Sequence, residues 1–262
     1  MPIIEGCKRI GGTCGGPVLI ACALLLFTTD KGLAQKPQDY SARIEPARTL
    51  VIGFVGGFVH SDDLRHSEVQ LAQHLQAIHA DLVQVQVFRN RQRAKAHQAA
   101  VDWFNKVADR AEPERRVILF GHSWGASAVV YLARELGQDS IPVALTIQVD
   151  SVRKHGRDDS VIPANVAEAI NFYQTEGLIH GRPQITAADP TRTTVLGNFQ
   201  FRYEKEPAEC HAYPWHNRLL FKVHTSIECD PRVWSQVDRL IENRLAPSVQ
   251  PAHAEIAAQL LK

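Results

Sequence analysis

Ser123 stands between two glycines in Gly121-His122-Ser123-Trp124-Gly125. An unbroken apolar run, Val117 to Phe120, comes before it, and after it apolar residues recur at helical spacing from Ala126 to a stop at Gly137. The run reads as a buried parallel strand and the segment after it as a helix, so the serine falls on a strand-to-helix turn. Such a turn is sharp, strains the serine backbone and presents its hydroxyl. A serine hydroxyl is a weak nucleophile at neutral pH, so it needs a general base within hydrogen-bond reach and a group that orients that base. Two later residues suit those roles. Asp150 directly follows the apolar stretch Val143 to Val149, and His224 directly follows Leu219 to Val223, which reads as a last strand.

Rivals exist for each role. Asp189 lies in Ala188-Asp189-Pro190, and an Asp-Pro pair more often marks a turn. Asp158 and Asp159 fall in a charged loop, and His180, His211 and His216 are other late histidines. Attack on a carbonyl develops an oxyanion that needs preorganised N–H donors. The Trp124 amide is one by position. The second is expected from the loop after the first strand, Gly56-Gly57-Phe58, and is assigned to Phe58. Among 12 histidines no HExxH or His-x3-His spacing occurs, and His60 with Asp62 and Asp63 is the best sequence-local cluster. No metal and no cofactor is expected.

These residues need a frame that brings them together. Thr49 to Val55 reads as the first core strand, Leu71, Leu75 and Ile78 share one helical face, and Val83, Val85 and Val87 alternate as a second strand. A helix from about Arg93 to Arg110 follows, then the elbow strand and its helix, then Val143 to Val149. Strands alternating with helices imply an α/β fold with a mostly parallel sheet covered on both faces. Loops at the carboxyl ends of parallel strands converge on one edge, where Ser123, Asp150 and His224 can meet. Between Ser151 and His224 the alternation weakens. Asn165 to Tyr173 reads as a helix and Thr193 to Gly197 as a short strand. Residues Ile162 to Ile179 suit an apolar acyl pocket, a lid or plain core packing. The stretch Pro231 to Leu245 reads as a helix with Val233, Val237, Leu240 and Ile241 inward.

A formal net charge of +1 over 262 residues, with no sustained basic run, argues against a nucleic-acid partner. Residues 1–34 have the layout of a secretory signal peptide: Lys8 and Arg9, the apolar stretch Pro17 to Phe27, then Gly32-Leu33-Ala34 as a small-x-small cleavage site. Residues 35–47 read as a polar linker. The apolar stretch is short for a bilayer span, so no stable membrane span is expected after cleavage; lipid anchoring at Cys22 is the minor alternative. A secreted or periplasmic chain cleaved at Ala34 keeps Cys210 and Cys229, and two cysteines in an exported protein suggest one disulfide.

With Gly121-His-Ser-Trp-Gly125, Gln148-Val-Asp150-Ser and Val223-His224 in place, the chain resembles the α/β-hydrolase superfamily over most of residues 48–245, and residues 48–262 are taken as that domain. An acid after the strand immediately following the elbow is similar to the thioesterase-domain and lipase branches. The resemblance implies hydrolysis of an acyl ester or thioester through an acyl-enzyme on Ser123, with a small-molecule or lipid substrate. A peptidase or acyltransferase would share the same three residues, and a catalytically silent member would only bind. Two departures stand out: little chain precedes the first core strand, so the family's first strands are expected to be missing, and nothing between Asp150 and His224 matches a known lid.

Overall fold

The computed structural model describes residues 48–108, 115–153, 158–204, 208, 210–213 and 221–245. The expected signal peptide, linker and Cys22 lie outside these residues, as do His216, Leu219 and Leu220. Along the chain come β1 (Thr49–Val55), α1 (Ser67–Ile78), β2 (Val83–Arg89), α2 (Arg93–Ala108), β3 (Arg116–His122), α3 (Trp124–Gln138), β4 (Val143–Val149), β5 (Val161–Ile162), β6 (Val166–Tyr173), β7 (Thr186–Ala187), β8 (Thr194–Gln200), α4 (Lys222–Cys229) and α5 (Pro231–Leu245).

β1 is buried at every position, as a strand covered on both faces must be. Its alternate side chains serve two cores. Leu50, Ile52 and Phe54 join Ala96, Ala100 and Trp103 of α2 and Val129, Leu132 and Leu136 of α3, whereas Val51 joins Leu71 and Leu75 of α1 and Val233, Val237 and Ile241 of α5. Helices α2 and α3 therefore cover one face and α1 and α5 the other. Six strands form one sheet in the order β2-β1-β3-β4-β6-β8, every pair parallel; β5 and β7 pair separately. This is the α/β arrangement the sequence implies, and among the described residues β1 is the first strand of the sheet.

The order reverses between β1 and β3: the chain steps from β1 outward to β2, then returns to the other side of β1. Loops leaving the carboxyl ends of β1 and β3 consequently diverge to opposite faces and leave a crevice between them. The Gly56-Gly57-Phe58 turn follows β1 and Ser123 follows β3, so the topology puts both beside that crevice.

The second half corrects two expectations. Asn165 to Tyr173 is not a helix: β6 lies between β4 and β8 with Val166, Ala169, Ile170 and Phe172 buried. A strand buried on both faces loses the polar alternation that identifies strands, and its β-branched and aromatic content was the better guide. His224 does not end a strand either. It lies in the first turn of α4, where Ile227 is buried and Val223 packs against the same core one turn earlier, a helical period too short to stand out in the sequence. In α1, Leu71 and Leu75 are buried but Ile78 is exposed. No helix of the described residues is long and apolar enough to cross a membrane.

Candidate active site

Ser123 has φ 57° and ψ −124°, a strained conformation for a residue with a Cβ. It is over-determined by its surroundings: the Ser123 amide donates to the Val149 carbonyl at 3.0 Å, and its own carbonyl accepts from the Ser127 and Val152 amides at 3.2 and 3.3 Å. The flanking glycines are required by close approach, since a Cβ at Gly121 would stand 2.7 Å from the Gly125 carbonyl carbon and one at Gly125 would overlap the Phe54 carbonyl. The strain thus lies where strand, turn and helix are pressed together, as a nucleophile elbow requires.

The three residues expected to act together do meet. His224 Nε2 lies 2.9 Å from Ser123 Oγ, and His224 Nδ1 lies 2.6 Å from Asp150 Oδ2. With the imidazole proton on Nδ1, the ring donates to the carboxylate and accepts from the hydroxyl. Asp150 also has positive φ, 45°, and no solvent exposure. Its cost of burial is offset by donors: Oδ1 accepts from the Gly181 amide at 2.6 Å and the Gln174 amide at 3.2 Å, and Oδ2 accepts from Gln174 Nε2 at 2.8 Å.

The rivals are placed elsewhere in hydrogen bonding. Asp189 accepts from the Thr191 amide and hydroxyl, which makes it a turn residue and holds its carboxyl below the usual range. Asp159 is not on an exposed loop: it is fully buried, bonded to Arg182 and accepting from Ser151 Oγ at 2.7 Å, so it fastens the segment after Asp150. His180 stays with the Gly181 carbonyl, and His211 is exposed. His60 and Asp62 are exposed too, and Asp63 pairs with Arg65.

Around Ser123 opens a cavity of about 560 Å³ walled by Phe58, Val59, Trp124, Val152, Ile179 and Phe221. Phe58 and Trp124, the two expected oxyanion residues, contact each other edge to face at 5.7 Å. The Phe58 ring is 69% exposed and lies under the Arg91 guanidinium at 4.7 Å. Asn90 Nδ2 donates to the Gly57 carbonyl at 2.6 Å. In a trans peptide that fixes the Phe58 N–H pointing away from Asn90. Of the stretch Ile162 to Ile179, Ile162, Val166, Ile170 and Phe172 are core, Leu178 is 98% exposed, and Ile179 alone of those apolar residues lines the cavity.

Sequence reasoning missed the supports. Gln174 follows β6 just as Asp150 follows β4; reading β6 as a helix hid that equivalence. Asn90, one residue beyond β2, carried no signal beyond its place after a strand. The largest omission is a polar group behind the site. His66, Glu68, His122 and Glu228 are all buried, and the His122 ring packs at 4.6 Å against His224. Burial pulls the His122 imidazole down to about 4. Burial, with the Glu228 charge beside it, pushes the Glu68 carboxyl well above the usual range. Burial alone would raise Glu228 as well, but the His122 and His66 rings hold it below the usual range.

Sheet order, parallel pairing and the serine elbow give the fold as that of the α/β-hydrolases. No family model matches the chain, and no curated protein matches it. Solved structures similar to it include YbtT, a type II thioesterase from the yersiniabactin NRPS/PKS biosynthetic pathway, at 19% identity and a TM-score of 0.25, covering 41% of this chain and 45% of that one. Another is RedJ, a thioesterase from the prodiginine biosynthetic pathway in Streptomyces coelicolor, at 14% identity and a TM-score of 0.34, covering 74% of this chain and 98% of that one. The chain thus spans less than half the length of YbtT.

Proposed function

We propose that this protein is an exported serine hydrolase that cleaves a carboxylic ester or thioester through an acyl-enzyme on Ser123. The observation that carries this reading is the unbroken line of hydrogen bonds from Asp150 through His224 to Ser123 Oγ, ending on a strained serine in an apolar-walled cavity. In the reaction, His224 takes the hydroxyl proton as Oγ attacks the acyl carbon, and Asp150 stabilises the imidazolium. His224 then returns the proton to the leaving alcohol or thiol and activates water for deacylation. The Trp124 amide, in the first turn of α3 where backbone amides point out of the helix, and the Phe58 amide, aimed by Asn90, bind the oxyanion; such donors are worth about 3 kcal/mol each. The apolar walls suit an acyl chain.

Export is supported by the cysteines. The sulfurs of Cys210 and Cys229 lie at bonding distance with their Cα atoms 5.7 Å apart, a pairing that persists in oxidising compartments.

A fluorophosphonate probe tests the assignment, because only an activated serine reacts. The wild type is expected to label at Ser123 and to turn over short p-nitrophenyl esters or acyl thioesters. Ser123→Ala is expected to lose labelling and about 10⁶-fold in turnover with its fold retained. Ser127, fully buried one turn along α3, stays unlabelled. Wild-type protein that neither labels nor hydrolyses would leave a silent, ligand-binding fold.

A further inference from the structure

We propose that His66, Glu68 and Glu228 form a buried binding site for a divalent first-row metal ion such as zinc, beside the Ser123 site and sharing its cavity. Candidate ligand atoms of these three residues all lie within 4.8 Å of one another, and all three side chains are buried. His66 caps the start of α1, Glu68 is in its first turn and Glu228 belongs to α4, so no sequence-local metal spacing could reveal the group.

The independent sign is Glu68. It has no solvent exposure, and neither carboxylate oxygen has a hydrogen-bond partner. The backbone amides of Gly56 and of Glu68 itself act on the carboxylate but do not offset its burial and the Glu228 charge. A buried polar group without a partner costs about 1–3 kcal/mol, and more for an ionised one, so an orphan carboxylate aimed at a histidine and a second carboxylate calls for an ion. His122 adds to this: both ring nitrogens are buried without hydrogen-bond partners, and Nδ1 stands 3.6 Å from Glu228 Oε2 and 3.9 Å from Glu68 Oε1. Two donors bound to one tetrahedral ion at about 2.1 Å are about 3.4 Å apart, close to both separations. His66 Nδ1 and Glu228 Oε1 are closer, 2.5 Å, and open by a rotation of Glu228 to admit the ion.

Donor chemistry selects the ion class. Imidazole with carboxylate suits zinc and neighbouring first-row dications, whereas calcium and magnesium take oxygen ligands. Entry is available, since His66, His122 and Glu228 line the same cavity as Ser123. The ion would tie α1 to α4, the helix that carries His224.

The test uses the purified chain, without an affinity tag, stripped by chelator and titrated with zinc against a chromophoric competitor, with metal content read by mass spectrometry. One zinc per chain is expected in the wild type and in Ser123→Ala, and cobalt in its place should give visible d–d absorption. Glu68→Gln, close to isosteric, is expected to weaken zinc at least about 100-fold. His60→Ala and His74→Ala should leave it unchanged; the latter controls for the more exposed group His74, Asp238 and Glu242. No zinc retained by the wild type, or zinc lost through His74→Ala and kept in Glu68→Gln, overturns the proposal and leaves Glu68 a protonated acid. If Glu68→Gln does not fold, the wild-type titration together with His74→Ala decides.

Discussion

The proposed nucleophile and its proposed proton-handling partners are held in different ways. Ser123 is fixed by contacts of its own strand, turn and helix, by the β1 backbone that presses on Gly121 and Gly125, and by the Val149 carbonyl of β4, which accepts from its amide. Asp150 and His224 are fixed by long-range bonds: 24 residues separate Gln174 from Asp150, 31 separate Gly181 from it, and 74 separate His224 from it. The partners of the serine turn all lie between Phe54 and Val152, so it is set once β1, β3, α3 and β4 have assembled. A base gathered from distant segments depends on the whole second half of the fold. The first should therefore tolerate damage beyond Val152, and the second should not.

Among the residues that position the base, the largest expected effect is at Asp150. Asp150→Asn keeps the shape but removes the acceptor that holds the His224 proton on Nδ1, and is expected to lower kcat about 10⁴-fold. Asp189→Asn, which breaks only a turn bonded to Thr191, should change kcat less than about twofold. Steady-state kinetics of the two variants with one ester decides. Equal losses, or a greater loss at Asp189, would mean that the acid has been assigned to the wrong strand.

Next comes the Cys210–Cys229 bridge, which joins the end of α4 to a segment before it. A closed loop of about 20 residues is worth about 3 kcal/mol in the chain-entropy model. Mass mapping of unreduced digests should find the two cysteines in one linked pair, and reduction should lower the melting temperature. Because α4 carries His224, turnover at a temperature well below melting should fall on reduction as well, while the Ser123 backbone is unaffected. A linked pair whose reduction lowers stability alone would show that α4 is positioned without it.

The same contrast explains what was readable from sequence. The first half writes its structure in period: β1, β3 and β4 are apolar runs, α3 repeats at helical spacing, and Ser123 is flanked by the glycines its turn demands. Asp150 and His224 were singled out because each follows an apolar run, although His224 was placed for a wrong reason: the run before it leads into α4. β6 was misread because a strand buried on both faces carries no alternation. Gln174, Asn90 and the buried group at His66, Glu68 and Glu228 were invisible because their importance arises only from tertiary contact; single polar residues after strands or in first helical turns are common and carry no periodic mark.

Gln174 sharpens the comparison at its smallest scale. It sits at the carboxyl end of β6 with no solvent exposure, and it satisfies two structures at once. Its Nε2 donates to Asp150 Oδ2 at 2.8 Å and to the Ile179 carbonyl at 2.9 Å, while its Oε1 accepts from the Glu176 and Gly177 amides at 2.9 and 3.1 Å. Gln174→Met keeps the volume and removes all four bonds, leaving Asp150 with the His224, Gly181 and residue-174 main-chain donors. A hydrogen bond to a charged group contributes about 1.5–3 kcal/mol, so the variant should lose about that much stability and about 10-fold in kcat. Because Ile179 also lines the cavity, two outcomes separate the roles. A fall in kcat with KM unchanged places the effect in the orientation of Asp150 and His224, as long-range positioning of the base requires. A rise in KM with kcat unchanged would put the effect in the cavity wall, and the acid would then be held well enough by its backbone donors, as locally secured as the serine.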